Sequence, residues 1–558
     1  MICTMISRAN IIMLNNIPLS NFQNKLTTML PIQIRLRLFF FFALTYFCLQ
    51  VFSQNEPFSM RVLANRFSFP WEIVYGPDNN IWTTERTAGK VTLVNPANGS
   101  KITLLTLGGK MVQSAGQDGL FGLAIHPLFL STKPFVYVAY TYRSIDATHR
   151  LTKIERYSYS VVHNKATLVN PVTVIDNLPG SNDHNSGRLS IGPDNKLYYS
   201  IGDMGAGQFD NSARQNNAQD VNIYEGKILR LNLELVNSSW IPSDNPFVDG
   251  SGNRTAVYTY GHRNPQGLVW ANVGGWKLYS CEHGPYSDDE VNLIEAGRNY
   301  GWPKVGGYCD GNYNGRYLGG QLVVSEQDAC ASLNVREPLT TMYSVATPPD
   351  STTSNLTWPS VAPSGMDVYT NTAIPGWNSS LLLAGLKSGT LIRFTLSTDG
   401  VTITSDTIMY FRGKGRFRDV CLSPDGKKIY LSTDNSGSTS GPTGGVTNTP
   451  ANPGAILEFT YTGAPGPVTR RSSPVSELTK TVIIYPNPVN NLLTINANGN
   501  VVRYCELISI SGEIVQRATL SSGSTFLPVS RQRAGIYILK LYGNNGEVVD
   551  VKKITVVH

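Results

Sequence analysis

The feature of the sequence that most limits its fold is a hairpin pattern that recurs six times. The clearest copy is 183–203, where two β-rich runs surround the turn Gly192-Pro-Asp-Asn195. Looser copies occupy the following segments: 69–85, 119–140, 262–284, 363–387 and 416–434. Repeated units of this size bury a core by packing against their neighbours. Six of them predict an all-β protein built as a six-bladed β-propeller.

The composition agrees with an all-β protein. Charged residues make up 15%, aromatic residues 10%, and the chain contains 51 glycines and 32 prolines, which is typical of a turn-rich β protein. The net charge is +7, but no block of basic residues stands out, which argues against nucleic-acid binding. The cysteines are too widely spaced for a disulfide framework, and only Cys309 and Cys330 could bridge a loop.

The sequence also predicts the domain organisation. Residues 1–53 form a signal-peptide region, because Arg35 and Arg37 precede an apolar run too short for an ordinary membrane span; Met29 is an alternative start. The propeller then occupies 54–463. A Pro- and Gly-containing linker follows at 464–480, and short alternating strands predict a small β-sandwich-like domain over 481–558.

The hairpin pattern predicts that one end of the propeller carries the function. A hairpin returns the chain to the end it left, so residues before its first strand and after its second lie together. At these positions the sequence places most of its polar groups, whereas the turns at the other end are plain. The residues are Gln117, Asp118, Asp183, His184, Asp203, Arg263, Asn264, Gln266, Glu282, His283, Lys387, Arg416, Arg418 and Asp434.

Four of these residues are cations. Arg263, Lys387, Arg416 and Arg418 would repel one another unless an anion neutralised them, and arginine suits bidentate binding of carboxylate or phosphate. They therefore indicate an anionic ligand. The alternative is that they are separate surface cations, each paired with a neighbour such as Asp419.

Two further groups have catalytic or metal-binding chemistry. His184 lies beside Asp183 and, through the hairpin, near Asp203, an arrangement that suits a general base. His262 and His283 occupy similar positions, so residue types alone do not select the base. The acidic, Gly-containing loops 282–290 and 306–310 could hold calcium, or could simply be solvated.

Several longer motifs occur in order between about residues 70 and 460. They are His184-Asn-Ser-Gly-Arg-Leu189, Tyr260-Gly-His-Arg-Asn-Pro-Gln-Gly267, Gly284-Pro-Tyr-Ser-Asp-Asp-Glu-Val-Asn-Leu293, Asn299-Tyr-Gly-Trp-Pro303, Trp358-Pro-Ser-Val-Ala-Pro363 and Arg416-Phe-Arg-Asp419. Together they resemble the soluble quinoprotein glucose dehydrogenase and aldose sugar dehydrogenase family. The resemblance implies a six-bladed propeller that uses pyrroloquinoline quinone (PQQ) and calcium to oxidise glucose or a related aldose at its anomeric carbon.

The resemblance also implies roles for individual residues. His184 would be the general base, Asp183 would orient it, and Arg263 would stabilise charge that develops on the cofactor. The residues implied to bind PQQ are Arg263, Asn264, Gln266, Lys387, Arg416, Arg418 and Asp434. Those implied to contact the sugar are Gln117, Asp183, Gln208 and Trp358. Those implied to hold calcium are Gly284 and Pro285 at the cofactor, and Gly306, Tyr308 and Asp310 at a second, structural site.

Alternatives stay open at this point. Segment 350–357 departs from the family because it has neither cysteine nor an aromatic residue, and Phe209 could also reshape the sugar site. The substrate could therefore be another aldose, an oligosaccharide or a sugar aldehyde. A non-catalytic propeller that binds carbohydrate or protein, or a lactonase with an axial calcium, are further readings. The electron acceptor and a possible homodimer are not specified.

The C-terminal segment resembles the sorting domain of the type IX secretion system. The matching motifs are Tyr485-Pro-Asn-Pro488, Ser511-Gly512 and Gly535-Ile-Tyr537. The resemblance implies that the secretion machinery is a partner. It further implies export to the surface of a Bacteroidetes-type bacterium, or beyond it.

Overall fold

The computed structural model describes most of the chain in two compact units that divide between Pro467 and Val468. The described residues are 57–114, 116–144, 150–405, 407–440, 446–463, 482–485, 487–497, 502–509, 513–520, 523–543 and 548–557. The predicted signal region 1–53 and linker 464–480 lie outside these ranges, so they stay predictions. Within these ranges, no helix has the length and apolarity needed to cross a membrane.

The described part of the first unit contains six four-stranded antiparallel sheets and one two-stranded sheet. Its strands are β1 (Phe58–Ala64), β2 (Pro70–Tyr75), β3 (Ile81–Glu85), β4 (Lys90–Val94), β5 (Lys101–Thr106), β6 (Leu120–Ile125), β7 (Phe135–Arg143), β8 (Arg150–Val162), β9 (Lys165–Pro179), β10 (Leu189–Ile191), β11 (Lys196–Ile201), β12 (Lys227–Asn232), β13 (Val257–Tyr260), β14 (Pro265–Asn272), β15 (Trp276–Glu282), β16 (Asp289–Ile294), β17 (Tyr317–Leu318), β18 (Gln321–Leu322), β19 (Thr340–Met342), β20 (Pro363–Tyr369), β21 (Ser380–Gly385), β22 (Thr390–Thr395), β23 (Ile408–Tyr410), β24 (Phe417–Leu422), β25 (Lys428–Thr433) and β26 (Ile456–Tyr461).

The sheets form a closed ring of six blades. Five blades follow the chain, in the orders β2-β3-β4-β5, β6-β7-β8-β9, β10-β11-β12-β13, β14-β15-β16-β19 and β20-β21-β22-β23. The sixth has the order β1-β26-β25-β24, so the first strand completes the last sheet. The inner strands β2, β6, β10, β14, β20 and β24 each contact the next, and β24 contacts β2. The all-β, six-bladed prediction is confirmed.

The inner strands approach one another closely where they surround the axis. A Cβ at Gly122 of β6 would collide with the carbonyl of Gly187, and one at Gly365 of β20 would collide with the carboxylate of Asp419. Glycine at these positions therefore lets neighbouring blades meet. Between the blades, apolar side chains from facing sheets form the hydrophobic core, for example Leu189 and Tyr199 with Phe121.

The longest insertion in the ring lies between β16 and β20. It holds a short hairpin (β17 and β18), the helix α1 (Glu326–Leu333) and the edge strand β19. Ser325 caps α1, since its hydroxyl accepts from the amide of Asp328 at 3.1 Å. A disulfide joins Cys309 to Cys330, the one pair that the sequence allowed, whereas the described Cys281, Cys421 and Cys505 are buried thiols.

The second unit is a small all-β domain. Its strands are β27 (Val482–Tyr485), β28 (Leu492–Ala497), β29 (Tyr504–Ser509), β30 (Ile514–Thr519), β31 (Gly523–Pro528), β32 (Gly535–Tyr542) and β33 (Val548–Val556). They form sheets of order β27-β28-β31 and β30-β29-β32-β33. Both sheets contribute to one core, with Leu493 from the first and Leu507 and Leu539 from the second. The Ser511-Gly512 turn lies outside the described residues.

Candidate active site

The hairpin of β10 and β11 places His184 beside Asp203, as predicted from the return of the chain to the end that it left. The Nδ1 atom of His184 lies 2.7 Å from Oδ1 of Asp203. Asp203 is itself fixed, because Trp302 Nε1 and Asn216 Nδ2 donate to its Oδ2 at 2.7 and 3.1 Å. His184 is 5% exposed and has φ = 47°, in the left-handed region that few non-glycine residues adopt. The surroundings therefore hold the imidazole in one defined orientation.

Gln208 connects this histidine to the other polar groups of the site. Its Nε2 lies 2.9 Å from His184 Nε2 and donates to Asp183 Oδ2 at 3.1 Å. Arg263 donates to Gln208 Oε1 at 2.8 Å, and Gln117 donates to the other oxygen of Asp183. Five of the predicted site residues thus belong to one hydrogen-bond network.

The carboxylate that bonds the imidazole is Asp203, whereas the nearest Asp183 oxygen is 3.9 Å from His184 Nε2. Asp203, and not Asp183, is therefore the carboxylate in direct contact with the imidazole, at Nδ1. Asp183 reaches the ring through Gln208 instead, and its Oδ1 accepts from the His184 amide at 3.0 Å.

The structure distinguishes the three histidines that the sequence left open. His262 is fully buried, stacks on Tyr300, and bonds Glu282 and Thr259 at 2.9 Å each, so it is a packing residue. Burial, together with the charge of Arg263, lowers the pKa of His283 well below its usual range. His283 is therefore a poor proton acceptor. Of the three, His184 alone combines a carboxylate partner with a place on the wall of the cavity described next.

The cavity at this end of the propeller has a volume of about 410 Å³. Its predicted lining residues are Gln117, Asp183, His184, Gln208, Arg263, Gly284, Pro285, Trp358, Lys387 and Arg416. A second cavity of about 30 Å³ adjoins it through Gln117 and is lined by Gln266 and Arg418. Of the predicted PQQ contacts, Asn264 and Asp434 line neither cavity; both are buried directly behind these walls.

The four cations line these two adjoining cavities, but they share few carboxylates. Asp434 bonds Arg418 through both oxygens, at 2.8 and 3.1 Å, and lies 3.5 Å from Arg416. Although burial opposes it, this pairing holds the pKa of Asp434 below its usual range. Arg263 has no ion pair among the described residues, and Lys387 Nζ donates to carbonyls, at 2.8 Å for Trp358. Positive charge is in excess.

The alternative pairing with Asp419 is wrong. Asp419 instead accepts from Arg188 at 2.9 Å, below the floor of the small cavity. Sequence reasoning also missed a fifth cation, Arg86, which lines the small cavity beside Arg418. Burial and the charge of Arg418 lower the pKa of Arg86 to about 10. Arg86 could have been predicted, because it directly follows the second strand of the first hairpin.

The residues present fit an anionic, polydentate cofactor. Several buried polar atoms around the cavities have no hydrogen-bond partner, which native proteins rarely allow without a ligand or water. They are Arg263 Nε, Asn264 Nδ2, Arg416 Nε, His283 Nε2 and Ser440 Oγ. Most are donors, so a ligand rich in carboxylate and carbonyl oxygens would satisfy both the hydrogen bonds and the excess charge.

The loop that carries Gly284 and Pro285 is fixed from behind. Asp289 accepts from the Gly284 amide at 3.0 Å through one oxygen, and from Ser360 and the Val361 amide at 2.8 and 2.7 Å through the other. The amide of Gly284 is thereby occupied, while the loop lines the cavity. Its carbonyl groups are oxygen ligands of the kind that calcium prefers.

The second predicted calcium set lies outside this cavity, in the insertion between β16 and β20. Gly306 donates its amide to Glu326 at 2.8 Å, and Asp310 accepts from the Asn312 amide at 3.1 Å. Burial raises the pKa of Asp310, and the nearby carboxylate of Glu337 raises it further. Glu337, which also accepts from the Cys309 amide at 3.0 Å, is the acidic neighbour that the sequence did not identify. The described residues contain no group of three His, Cys, Asp or Glu side chains that could hold a metal alone.

The outer wall of the cavity contains further residues. Tyr286 and Ser360 lie within the quoted motifs and Asn355 and Leu356 within segment 350–357, but none was predicted individually, and no pattern marked Ser438 and Ser440. Trp358 packs edge-on against Tyr286, with ring centroids 4.8 Å apart, and donates from Nε1 to Thr353 at 2.8 Å. On the opposite side Phe209 is 66% exposed. Irregular loops supply most of this wall, which explains why repeat analysis did not find it.

Comparison with known proteins agrees with this architecture. The family described as glucose/sorbosone dehydrogenase matches residues 67–440, and the secretion system C-terminal sorting domain matches 483–557. The chain is 39% identical over 451 residues to quinoprotein glucose dehydrogenase B of Acinetobacter calcoaceticus, covering 73% of this chain and 92% of the relative. It is 27% identical to aldose sugar dehydrogenase YliI of Escherichia coli, covering 71% and 96%.

Solved structures agree as well. The PQQ-bound aldose sugar dehydrogenase of Streptomyces coelicolor is 27% identical, with a TM-score of 0.52, over 72% of this chain and 98% of that chain. The soluble aldose sugar dehydrogenase of Escherichia coli in its apo form is 25% identical, with a TM-score of 0.55, over 72% and 99%. Together with the ring of six blades and the family match over residues 67–440, these similarities show that the chain belongs to the glucose/sorbosone dehydrogenase family of quinoprotein sugar dehydrogenases and carries a C-terminal secretion sorting domain.

Proposed function

We propose that this protein is an exported, PQQ- and calcium-dependent dehydrogenase that oxidises the anomeric carbon of glucose or a related aldose to the lactone. The observation that carries the proposal is a single cavity. His184, whose imidazole is bonded to the Asp203 carboxylate, lines this cavity together with Arg263, Lys387 and Arg416. A proton acceptor and an anion-binding wall in one pocket suit removal of a hydroxyl proton beside a polyanionic hydride acceptor.

His184 would remove the proton. Its Nδ1 faces the Asp203 carboxylate, which favours the tautomer with hydrogen on Nδ1 and leaves the lone pair on Nε2. Nε2 is bonded to the side-chain amide of Gln208, a position that a sugar hydroxyl could take. After proton transfer, the Asp203 carboxylate would stabilise the imidazolium. This is the role of an orienting carboxylate in general-base catalysis.

The cations would hold the cofactor. Arg263, Lys387, Arg416 and Arg418 would bind its carboxylates and carbonyl oxygens, with Asn264 and Gln266 donating further hydrogen bonds. The carbonyls of Gly284 and Pro285 would hold calcium beside it. When bound, PQQ accepts the hydride and calcium acts as a Lewis acid. Arg263, whose guanidinium has no carboxylate partner among the described residues, is placed to neutralise charge as the hydride is transferred.

The sugar would lie in the cavity between His184 and Trp358. Gln117, Asp183 and Gln208 offer hydrogen-bond groups on the His184 side, while the indole of Trp358 offers a flat face across the cavity. Sugar rings commonly bind by such a combination of polar groups and an aromatic face. Because segment 350–357 has neither cysteine nor an aromatic residue, the preferred sugar could be an aldose other than glucose.

A structural calcium site would complete the insertion. Gly306, Tyr308 and Asp310 would supply ligands, and Glu337 the additional carboxylate, within the loop that the Cys309–Cys330 disulfide closes. Oxygen ligands from carboxylates and carbonyls are those that calcium takes.

The sorting domain would direct the protein to the outside of the cell. Its match over 483–557 supports recognition by the type IX secretion machinery, hence release from, or display on, the surface of a Bacteroidetes-type bacterium. The predicted signal region 1–53 would act first, at the inner membrane.

Dye reduction by the purified full-length protein tests the proposal. The assay would compare a panel of aldoses in the presence of calcium, with and without added PQQ. We expect reduction that depends on both PQQ and sugar, and the ranking of sugars would define the preference. A parallel titration of PQQ, followed by quenching of tryptophan fluorescence, separates the outcomes. Binding without turnover would reject the dehydrogenase, and absence of binding would favour a non-catalytic propeller.

The lactonase alternative has no support from the axis of the ring. There, Glu72 and Asp419 are joined by the guanidinium of Arg188, with Nη1 2.5 and 2.9 Å from their oxygens. An arginine occupies the place that a metal held by axial carboxylates would need.

A further inference from the structure

A cavity larger than the candidate active site lies elsewhere in the first unit. It has a volume of about 670 Å³ and opens at the opposite end of the ring, among the plain hairpin turns that include Pro77, Pro127 and Pro424. Its volume lies within the range of small-molecule sites. The Arg188 ion pairs form its inner end and separate it from the 30 Å³ cavity above.

Apolar side chains form a large part of the walls of this lower cavity. Residues from all six inner strands contribute, and they include Val74, Ile125, Ile191, Val269 and Leu422. A ligand that fills the cavity would therefore remove an apolar body from water, which is favourable in proportion to the area buried.

The inner end of the same cavity is acidic. Glu72, Asp367 and Asp419 come from three successive blades, while Arg188 is the one cation that lines the cavity. If all four groups are ionised, the net charge is −2. Asp367 has no ion pair among the described residues and accepts from the Val368 amide at 2.7 Å. Carboxyl groups therefore outnumber the one cation at the inner end of the cavity.

Apart from the balance of charges, one carboxylate oxygen at this end of the cavity has no hydrogen-bond partner. Glu72 is 5% exposed, and its Oε1 is bonded to Arg188, but its Oε2 has no hydrogen-bond partner. A buried, unsatisfied carboxylate oxygen costs free energy unless a donor reaches it. Burial also raises the pKa of Glu72 to about 8 and of Asp367 to about 7. A cation bound beside these groups would restore their ionised forms.

We infer that the lower cavity is a binding site for an organic ammonium ion that carries an apolar tail. The ammonium group donates to Asp367 and Glu72 Oε2, and the tail lies along the apolar walls towards the turns. A bare metal ion fits less well, because the described residues offer no cluster of three side-chain ligands there and the apolar walls would stay wet. The inference does not depend on the proposed dehydrogenase activity.

Calorimetric titration of the full-length protein with n-hexylammonium chloride tests this inference. Hexanol, hexanoate and potassium chloride are the matched probes for tail, opposite charge and ionic strength. We expect saturable binding of hexylammonium, at least about tenfold tighter than hexanol, since a charge-assisted hydrogen bond is lost with the alcohol. Equal binding of hexanol, or an equal effect of potassium chloride, would overturn the inference.

Variants locate the site. Asp367→Asn is expected to weaken hexylammonium binding at least about tenfold, whereas Asp425→Asn, in a turn at the same mouth, should leave it unchanged. Ile191→Trp keeps every carboxylate and fills the chamber, so it should abolish binding even if the Asn variant folds poorly. Unaltered binding in Ile191→Trp would show that the ligand lies elsewhere. PQQ titrations on the same samples should be unaffected, which separates this site from the proposed active site.

Discussion

The two ends of the propeller axis differ in charge, although the same six blades supply the residues of both. Five arginine or lysine side chains and one carboxylate, Asp183, line the two upper cavities, whereas three carboxylates and one arginine, Arg188, line the lower cavity. Arg418 and Asp419 are neighbours on β24, yet one belongs to each end. The comparison shows that single residue positions decide whether a cavity carries net positive or net negative charge, because the blades share the same backbone geometry.

Removing the cation between the two ends should have the largest effect. Arg188→Met leaves Glu72 and Asp419 buried without a counter-charge, and breaking a buried pair in this way costs about 3–5 kcal/mol. We expect a corresponding drop in thermal midpoint, measured by calorimetry on the full-length protein. Arg61→Met is the control: its pair with Glu458 is part exposed, and its loss should cost no more than about 1 kcal/mol. Equal losses would refute the special role of the axial pairs.

Replacing the proposed base should reduce turnover next most strongly. His184→Asn retains a residue that tolerates the left-handed backbone at φ = 47° and removes the imidazole. Turnover should fall by about 10²-fold or more, the usual contribution of a general base, with PQQ affinity unchanged. His163→Asn, in an exposed turn with φ = 48°, controls for backbone effects. Turnover near the wild-type value would exclude His184 as the base.

Weakening the positive wall should lower cofactor affinity. Lys387→Ala removes an ammonium that burial has partly desolvated, which lowers its pKa. The loss of one charge-assisted contact of about 1.5–3 kcal/mol should weaken PQQ binding roughly tenfold to a hundredfold in a fluorescence titration. Lys133→Ala, whose amine pairs with Glu234 on another face, should not change it. If both variants bind PQQ like the wild type, Lys387 does not belong to the anion site.

The acidic end should show itself as a pH dependence of stability. Burial raises the pKa of Asp367 to about 7, above its value of about 3.9 in the unfolded chain. The folded state therefore binds the extra proton between these values, and stability falls as pH rises through this window. Asp367→Asn should flatten that slope between about pH 4 and 7 in thermal melts. A slope as steep as that of the wild type would assign the titration to other groups.

Regular parts of the molecule were predictable from the sequence, and irregular parts were not. The six hairpins follow from alternation and turn chemistry, which act locally, so residues at strand ends such as His184 and Arg263 were placed correctly. Tyr286, Asn355 and Ser440 lie in loops whose paths depend on contacts with other blades. The partner of Asp419 was misjudged for the same reason, because Arg188 lies just before β10, 231 residues away.

The pairing of the first strand, β1, with the last strand of the propeller, β26, has a consequence for folding during synthesis. Arg61 and Glu458, which meet across this seam, are 397 positions apart, so the ring stays open until nearly the whole propeller segment has been made. Entropy alone is no great obstacle, since each doubling of such a loop costs only about 0.6 kcal/mol. Yet β1 has no partner strand until β26 has been made, so its backbone groups stay free to pair with another chain. A chain truncated before β26 would keep this strand unpaired, which makes aggregation its expected failure.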